Sequence, residues 1–170
     1  MLGYWRKKYL MWLIWFLKLD IKQLKISVEK LKADTKPRWG RMNSSQMLKH
    51  CNRQAKLYCN EYNSNFFVLI LAHTIGKLHL LYVKYYINYD INKYKKNSRG
   101  LRILDTTQVQ EIDFKKEKQK LIKRHIYVHN YEKKFIVNPI HGLVKKETFK
   151  KNIFAHTKYC LLYTSDAADE

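Results

Sequence analysis

Trp39 to Cys51 reads WGRMNSSQMLKHC, and its second half carries the strongest local signal in the chain. Asn43 suits a helix N-cap, because its side-chain oxygen can accept from the unpaired backbone N–H groups of a first turn. Gln46 stands three residues on, where its amide can return a bond to the cap, so the two form a capping-box pattern. From that start Met47, Cys51, Gln54 and Tyr58 fall on one helical face with His50 beside them, and the helix is expected to run to about Glu61. Trp39-Gly40 ahead of it reads as a loop.

Working upstream, Leu17, Ile21, Leu24, Val28 and Leu31 make a helical stripe that stops before the breaker Asp34-Thr35-Lys36-Pro37. Downstream, Asn65 to Tyr94 is rich in Leu, Ile, Tyr and Phe, with Gly76 in its middle; one buried helix or two shorter ones would both fit. Lys95 to Gly100 reads as a loop, and Leu101 to Val109 as extended or irregular. Asp113 can cap a third regular helix, whose stripe is Phe114, Leu121, Ile122 and His125 beneath a Lys/Glu-rich exposed face. Pro139 and Gly142 mark a turn. A last helix then starts near Lys145 with Phe149, Ile153 and His156 as its stripe, which position 160 continues at i+4. With only 5 Gly and 2 Pro, the pattern predicts an all-α fold, a helical bundle with an irregular apolar segment between the second and third core helices.

The 170 residues suffice for one domain with a sizeable core, and 46% hydrophobic residues exclude a disordered chain. The formal charge of +20 fits nucleic acid, an anionic membrane surface or an acidic partner. The lysines are dispersed and no recognition motif accompanies them, so solvated helix faces are favoured over nucleic-acid binding. Cys51 and Cys59 lie eight positions apart on one expected helix, about 12 Å by helical rise, too far for a disulfide. That suggests a reducing, cytoplasmic setting.

Tyr9 to Leu17 (YLMWLIWFL) is apolar and follows Arg6-Lys7-Lys8, like the apolar part of a signal peptide. No small-residue cleavage site follows, and the run is shorter than the roughly 20 residues a bilayer span needs. Residues 1–16 are therefore expected to be an N-terminal extension: a greasy first helix, a peripheral membrane anchor acting through 1–17, or sequence upstream of a start near Met11. Residues 17–159 are expected to form the bundle. At the other end, Cys160 to Glu170 (CLLYTSDAADE) resembles the conceptual translation of a transposase-based sequencing adapter. The Lys-, Asn-, Ile- and Tyr-rich habit of the chain breaks there into Ala167, Ala168 and three acids, with no base. Residues 160–170 are thus expected to be read-through rather than native sequence, cutting off the end of the last helix.

The one constellation with chemistry is a pair of inward histidines, His50 early on one helix and His156 late on another. In an antiparallel bundle such positions can meet in the core. A ligand at position 160, one turn after His156, would complete a three-ligand site with open positions, the catalytic pattern for a divalent metal. The residue there is Cys160. His125 and His129 form a rival i, i+4 pair with no evident third partner and read as surface residues, and His73, His79 and His141 have no partners visible in the sequence. Cys51 beside His50 diverges from it by about 100° around the helix and does not make a nucleophile–base pair. No Gly-rich phosphate loop, GxSxG elbow or CxxC is present, and the 14 acids offer no separable carboxylate pair.

WGRMNSSQMLKHC resembles a motif of the DinB-like superfamily, in its branch of unknown function, where W-G-K-M leads into a helix carrying Q-M-L-x-H-C. DFKKEKQKLI (Asp113–Ile122) resembles that branch's acidic-capped third helix, and NPIHGLVKKETFKKNIFAHTKY (Asn138–Tyr159) its closing segment, a turn followed by a helix ending in K-H-x-x-H-H. The resemblance covers about Lys18 to Tyr159 and is poor from Asn65 to Tyr94. It implies a four-helix bundle, often dimeric, with a divalent metal (zinc, nickel or manganese) held by one histidine of the second helix and a histidine pair of the last. Carried over, His50 and His156 are ligands and Cys160 occupies the place of a native histidine. The sequence departs from the branch at Asn138, where histidine is usual, and at His141, where an aromatic is; these bear on loop packing. The resemblance further implies a thiol-transferase or hydrolase type of activity, with a low-molecular-weight thiol or a water as metal-bound nucleophile and an unknown small-molecule substrate. A non-catalytic bundle with buried histidines, and a basic membrane-surface or nucleic-acid-binding protein, are the alternatives.

Overall fold

The structure, a computed structural model, describes residues 21–33, 35–62, 64–96 and 100–164. The apolar run Tyr9–Leu17, the start of the first stripe and the acidic end of the tail lie outside the described residues. Helix α1 occupies residues 21–30. It is followed by α2 (Ser44–Tyr58), α3 (Phe66–His73), α4 (Ile75–Leu81) and a π-helical turn (Tyr82–Ile87). After two short 3-10 turns (Ile91–Lys93 and Arg102–Leu104) come α5 (Phe114–His129), strands β1 (Phe135–Asn138) and β2 (Gly142–Lys145), and α6 (Lys146–Thr164).

The capping box forms: the Asn43 side chain accepts from the Gln46 N–H at 2.9 Å, and the Gln46 side chain accepts from the Asn43 N–H at 3.1 Å. Helix α2 ends at Tyr58, short of the expected Glu61, because Asn60 turns left-handed at φ 56°. The Asn60 and Glu61 N–H groups then fold back on the Leu57 and Lys56 carbonyls, the paired bonds of a Schellman stop. Asp113 caps α5 by accepting from the Lys116 N–H at 2.9 Å.

Contacts fix the helix directions. Asn52 meets Glu117 and Glu61 meets Arg124, so α5 runs beside α2 in the same sense. His50 meets His156 and Met42 meets Tyr163, so α6 runs against α2. The Ser44 hydroxyl donates to the Lys32 carbonyl, which returns α1 to the start of α2. Val28, Met47, Leu48, Leu121, Phe149 and Ile153 fill the space between these helices and are fully buried. Glu117 pins the α2–α5 seam, accepting from the Asn52 amide, Lys49 and Lys120. Burial works against its charge, but the two ammonium groups outweigh that and hold its carboxyl below the usual range.

Two expectations need correction. The fold is mostly helical rather than all-α: Phe135 pairs with Lys145 and Asn138 with Gly142 in an antiparallel hairpin. Ile136, Asn138, Gly142 and Val144 face inward along it. Each strand is four residues long, too short for alternation to stand out from the helix that follows. Pro139 and Gly142 do bound the turn, in which Asn138 Oδ1 accepts from the Ile140 and His141 N–H groups and Gly142 sits at φ +64°. The second correction concerns the apolar segment. It forms two shorter helices, one of the two arrangements expected for it, so it is regular rather than irregular, but these helices are not buried. Ala72, Leu80, Val83 and Ile87 are covered, while Phe66, Phe67, Leu71, Ile75 and Leu78 are more than half exposed.

The hairpin and α4 touch at one point that admits no side chain. A Cβ on Gly76 would lie 1.9 Å from the Ile140 carbonyl oxygen. Alanine ordinarily favours a helix by up to about 1 kcal/mol over glycine. Here we expect Gly76→Ala to destabilise the protein by roughly 2 kcal/mol, since backbone must move to admit it, read as a lower urea midpoint at unchanged slope.

Helix α6 runs on through Thr164, past the point where the sequence suggests foreign residues. Cys160, Leu161 and Tyr163 are buried, the Tyr163 hydroxyl accepts from the Met42 N–H at 2.7 Å, and Trp39 packs edge-on to its ring at 5.6 Å. These residues hold the last turns of α6 against the loop that precedes α2.

Candidate metal centre

The opposed directions of α2 and α6 bring His50 across from His156, with their Nε2 atoms 3.3 Å apart. His50 Nδ1 lies 2.8 Å from the Leu104 carbonyl oxygen. A carbonyl only accepts, so that nitrogen carries the proton, and in the neutral ring the bare Nε2 points at α6. Fixing a ligand imidazole through its other nitrogen is how metal sites set tautomer and ring orientation. Leu104 itself is held by its loop: Thr106 donates to the Gln46 carbonyl at 2.7 Å, and Arg53 donates to the Asp105 carbonyl at 2.5 Å.

Cys160 follows His156 by one helical turn, its Sγ 3.8 and 3.9 Å from the two ring nitrogens. The potential ligand atoms of His50, His156 and Cys160 all lie within 4.8 Å of one another. Two nitrogens bound tetrahedrally to zinc at about 2.0–2.1 Å stand roughly 3.3 Å apart, and a nitrogen and a thiolate sulfur roughly 3.6 Å. The Nε2 pair meets the first value; the sulfur, nearly equidistant from both ring nitrogens of His156, lies off the lone-pair direction of either, so sharing an ion with Nε2 requires the ring or the thiol to turn.

The electrostatics suit a cation. Cys160 is held well below the usual thiol range, chiefly by its interaction with the neighbouring Cys51 thiol. Burial opposes this, and His156 and His50 add to it. The same contact, with burial, pushes Cys51 well up. Burial disfavours a charged His50, but the Cys160 bond and charge, the Leu104 carbonyl and Asp105 outweigh it and raise its pKa. A thiolate is the form of cysteine that binds metal.

The other histidines go elsewhere. His125, expected at the surface, is 1% exposed: its Nδ1 donates to the Leu121 carbonyl at 2.9 Å and its ring meets the Phe154 face at 5.1 Å. It is one stripe residue of α5 that α6 covers, so it makes no ligand pair with His129. His73, His79 and His141 gather at the hairpin. His73 Nε2 accepts from the Leu143 N–H at 3.1 Å, and His79 Nδ1 lies 3.1 Å from His141 Nε2 in a stacked pair. Asn138 and His141 are both fully buried in the turn, as loop-packing residues.

His50, His156 and Cys160 are thus brought together as the sequence suggested. Two contributors had no readable signal: the Leu104 carbonyl, because a backbone acceptor has no side-chain signature, and Cys51, whose place on the inward stripe showed burial but not its electrostatic effect on Cys160. No protein-family model, curated protein or solved structure matches the chain, so the reading of this centre rests on its own geometry.

Proposed function

We propose that the protein is a DinB-like four-helix bundle that binds one divalent metal ion through His50, His156 and the residue at position 160, Cys160 in this chain and a histidine in the native sequence. The observation that carries this reading is the convergence of three ligand atoms from two opposed helices, with a zinc-like Nε2 separation. Two imidazoles and a thiolate favour zinc over nickel and over manganese, which prefers oxygen donors. Three protein ligands leave a coordination position open. An ion there would lower the pKa of a bound low-molecular-weight thiol or water, which is the chemistry of a thiol transferase or hydrolase. The chain's own residues would orient the site: Leu104 fixes the His50 ring, and the neighbouring Cys51 thiol favours an anionic Cys160.

A second reading has its own support. The 3.3 Å Nε2 separation is also a histidine–histidine hydrogen bond, as a non-catalytic bundle would use it. Metal content after purification in metal-free buffer and addition of one equivalent of zinc distinguishes the two. The proposed reading expects near-stoichiometric retained zinc in the full chain and little in His50→Ala; equal retention in both removes it.

A further inference from the structure

Outside the metal centre, the largest unexplained feature is the outer side of Phe66–Ile87. Phe67, Leu71, Ile75, Leu78, Tyr82 and Tyr85 recur at three- and four-residue spacing, so they form one stripe along the helical run, and each is more than half exposed. The run is 22 residues, with an 18-residue window of mean hydropathy 1.7, long and apolar enough by composition to cross a membrane. Its packing argues that it does not. Ala72, Leu80, Val83 and Ile87 are buried against the protein, the Leu143 N–H donates to His73, and Lys77 donates to the Leu143 carbonyl. One side is committed to the hairpin and the neighbouring helices, and the remaining circumference, with the stripe at its centre, is open.

We infer that this stripe docks on an anionic lipid surface, lying in the interface rather than through it. Charge decides the occupant. Phe66–Ile87 contains Lys77 and Lys84 and no Asp or Glu, in a chain of net charge +20. Lys145 acts electrostatically on Tyr85 of the stripe, and Lys151 lies over the ring of Tyr89 just beyond it. A second copy of the chain would present the same lysines with no acid to answer them. An anionic membrane offers both an apolar layer for the stripe and negative headgroups for its basic flanks, and tyrosines suit that boundary.

The test is co-sedimentation of the full chain with vesicles of phosphatidylcholine alone and of phosphatidylcholine with phosphatidylglycerol, for wild type and Leu71→Glu/Leu78→Glu. Both positions are exposed, at 55% and 68%, so the variant should fold, as circular dichroism can check. The expected result is binding to the phosphatidylglycerol vesicles that falls with salt and is weaker by about tenfold or more in the variant. Equal binding of wild type and variant, no binding by wild type, or a wild-type dimer that the variant converts to monomer would each overturn it.

Discussion

Replacing His156 with Ala is expected to lower zinc affinity by more than about 100-fold. Loss of a mere outer-shell partner of a metal ligand costs about 10–100-fold, and His156 is proposed as a ligand itself. It is also the residue that both others meet: His50 through the 3.3 Å Nε2 contact and Cys160 from one turn away. Cys160→Ala should weaken binding in the same way, whereas Cys160→His should retain it, because residues at i and i+4 share a helix face and an imidazole there reaches the same centre. Competition against a zinc-responsive dye measures all three. Acid should weaken binding to the wild type, since proton uptake by the imidazoles and by the Cys160 thiolate competes with metal.

Acid should also destabilise the fold itself, through histidines away from the ligand set. Burial pushes His125 down to about 4 and His141 down to about 3, from an ordinary 6.5; neighbouring His79 and Lys77 contribute at His141. A depressed histidine stays neutral in the folded protein while its unfolded counterpart takes up a proton below pH 6.5. The unfolded state therefore binds more protons, and stability falls as pH drops from 6.5 through the folded values, being fully present only above 6.5. At 1.36 kcal/mol per pK unit, the two together cost roughly 5 kcal/mol near pH 4.5, comparable with the whole stability of a small domain. The Nδ1 of His141 is buried without a partner, which leaves it no local gain from protonation that would offset the burial. Urea unfolding across pH 4.5–7 should show a steep decline in wild type. In His141→Gln the slope near pH 5 should fall by about one proton. An unchanged slope would mean that this ring is already protonated, or solvated, in the folded state.

The elements that were legible in the sequence are those with chemical punctuation. Asn43 with Gln46, and Asp113, announced the starts of α2 and α5, and Phe149, Ile153 and His156 repeated at helical spacing along α6. The hairpin carried no such mark beyond Pro139 and Gly142, since Phe135–Asn138 offers only two inward residues. In Phe66–Ile87 periodicity failed for a different reason: apolar residues occupy both the packed side, at Leu80 and Val83, and the open side, at Leu71 and Leu78, so no polar face remained to tell inside from outside. At the metal centre, side chains of ligand type could be placed on faces from their spacing. The Leu104 carbonyl that orients His50 comes from a loop more than fifty residues away in sequence, and only the folded chain puts it there.

Titration of the full chain with cobalt(II) tests the metal centre most directly, because the ion reports its own ligands. A site built from His50, His156 and Cys160 predicts one equivalent bound in a near-tetrahedral field, with intense visible bands and a thiolate-to-cobalt charge-transfer band that disappears in Cys160→Ala. A spectrum indistinguishable from that of free octahedral cobalt(II), or one with no change in either His50→Ala or Cys160→Ala, would contradict it.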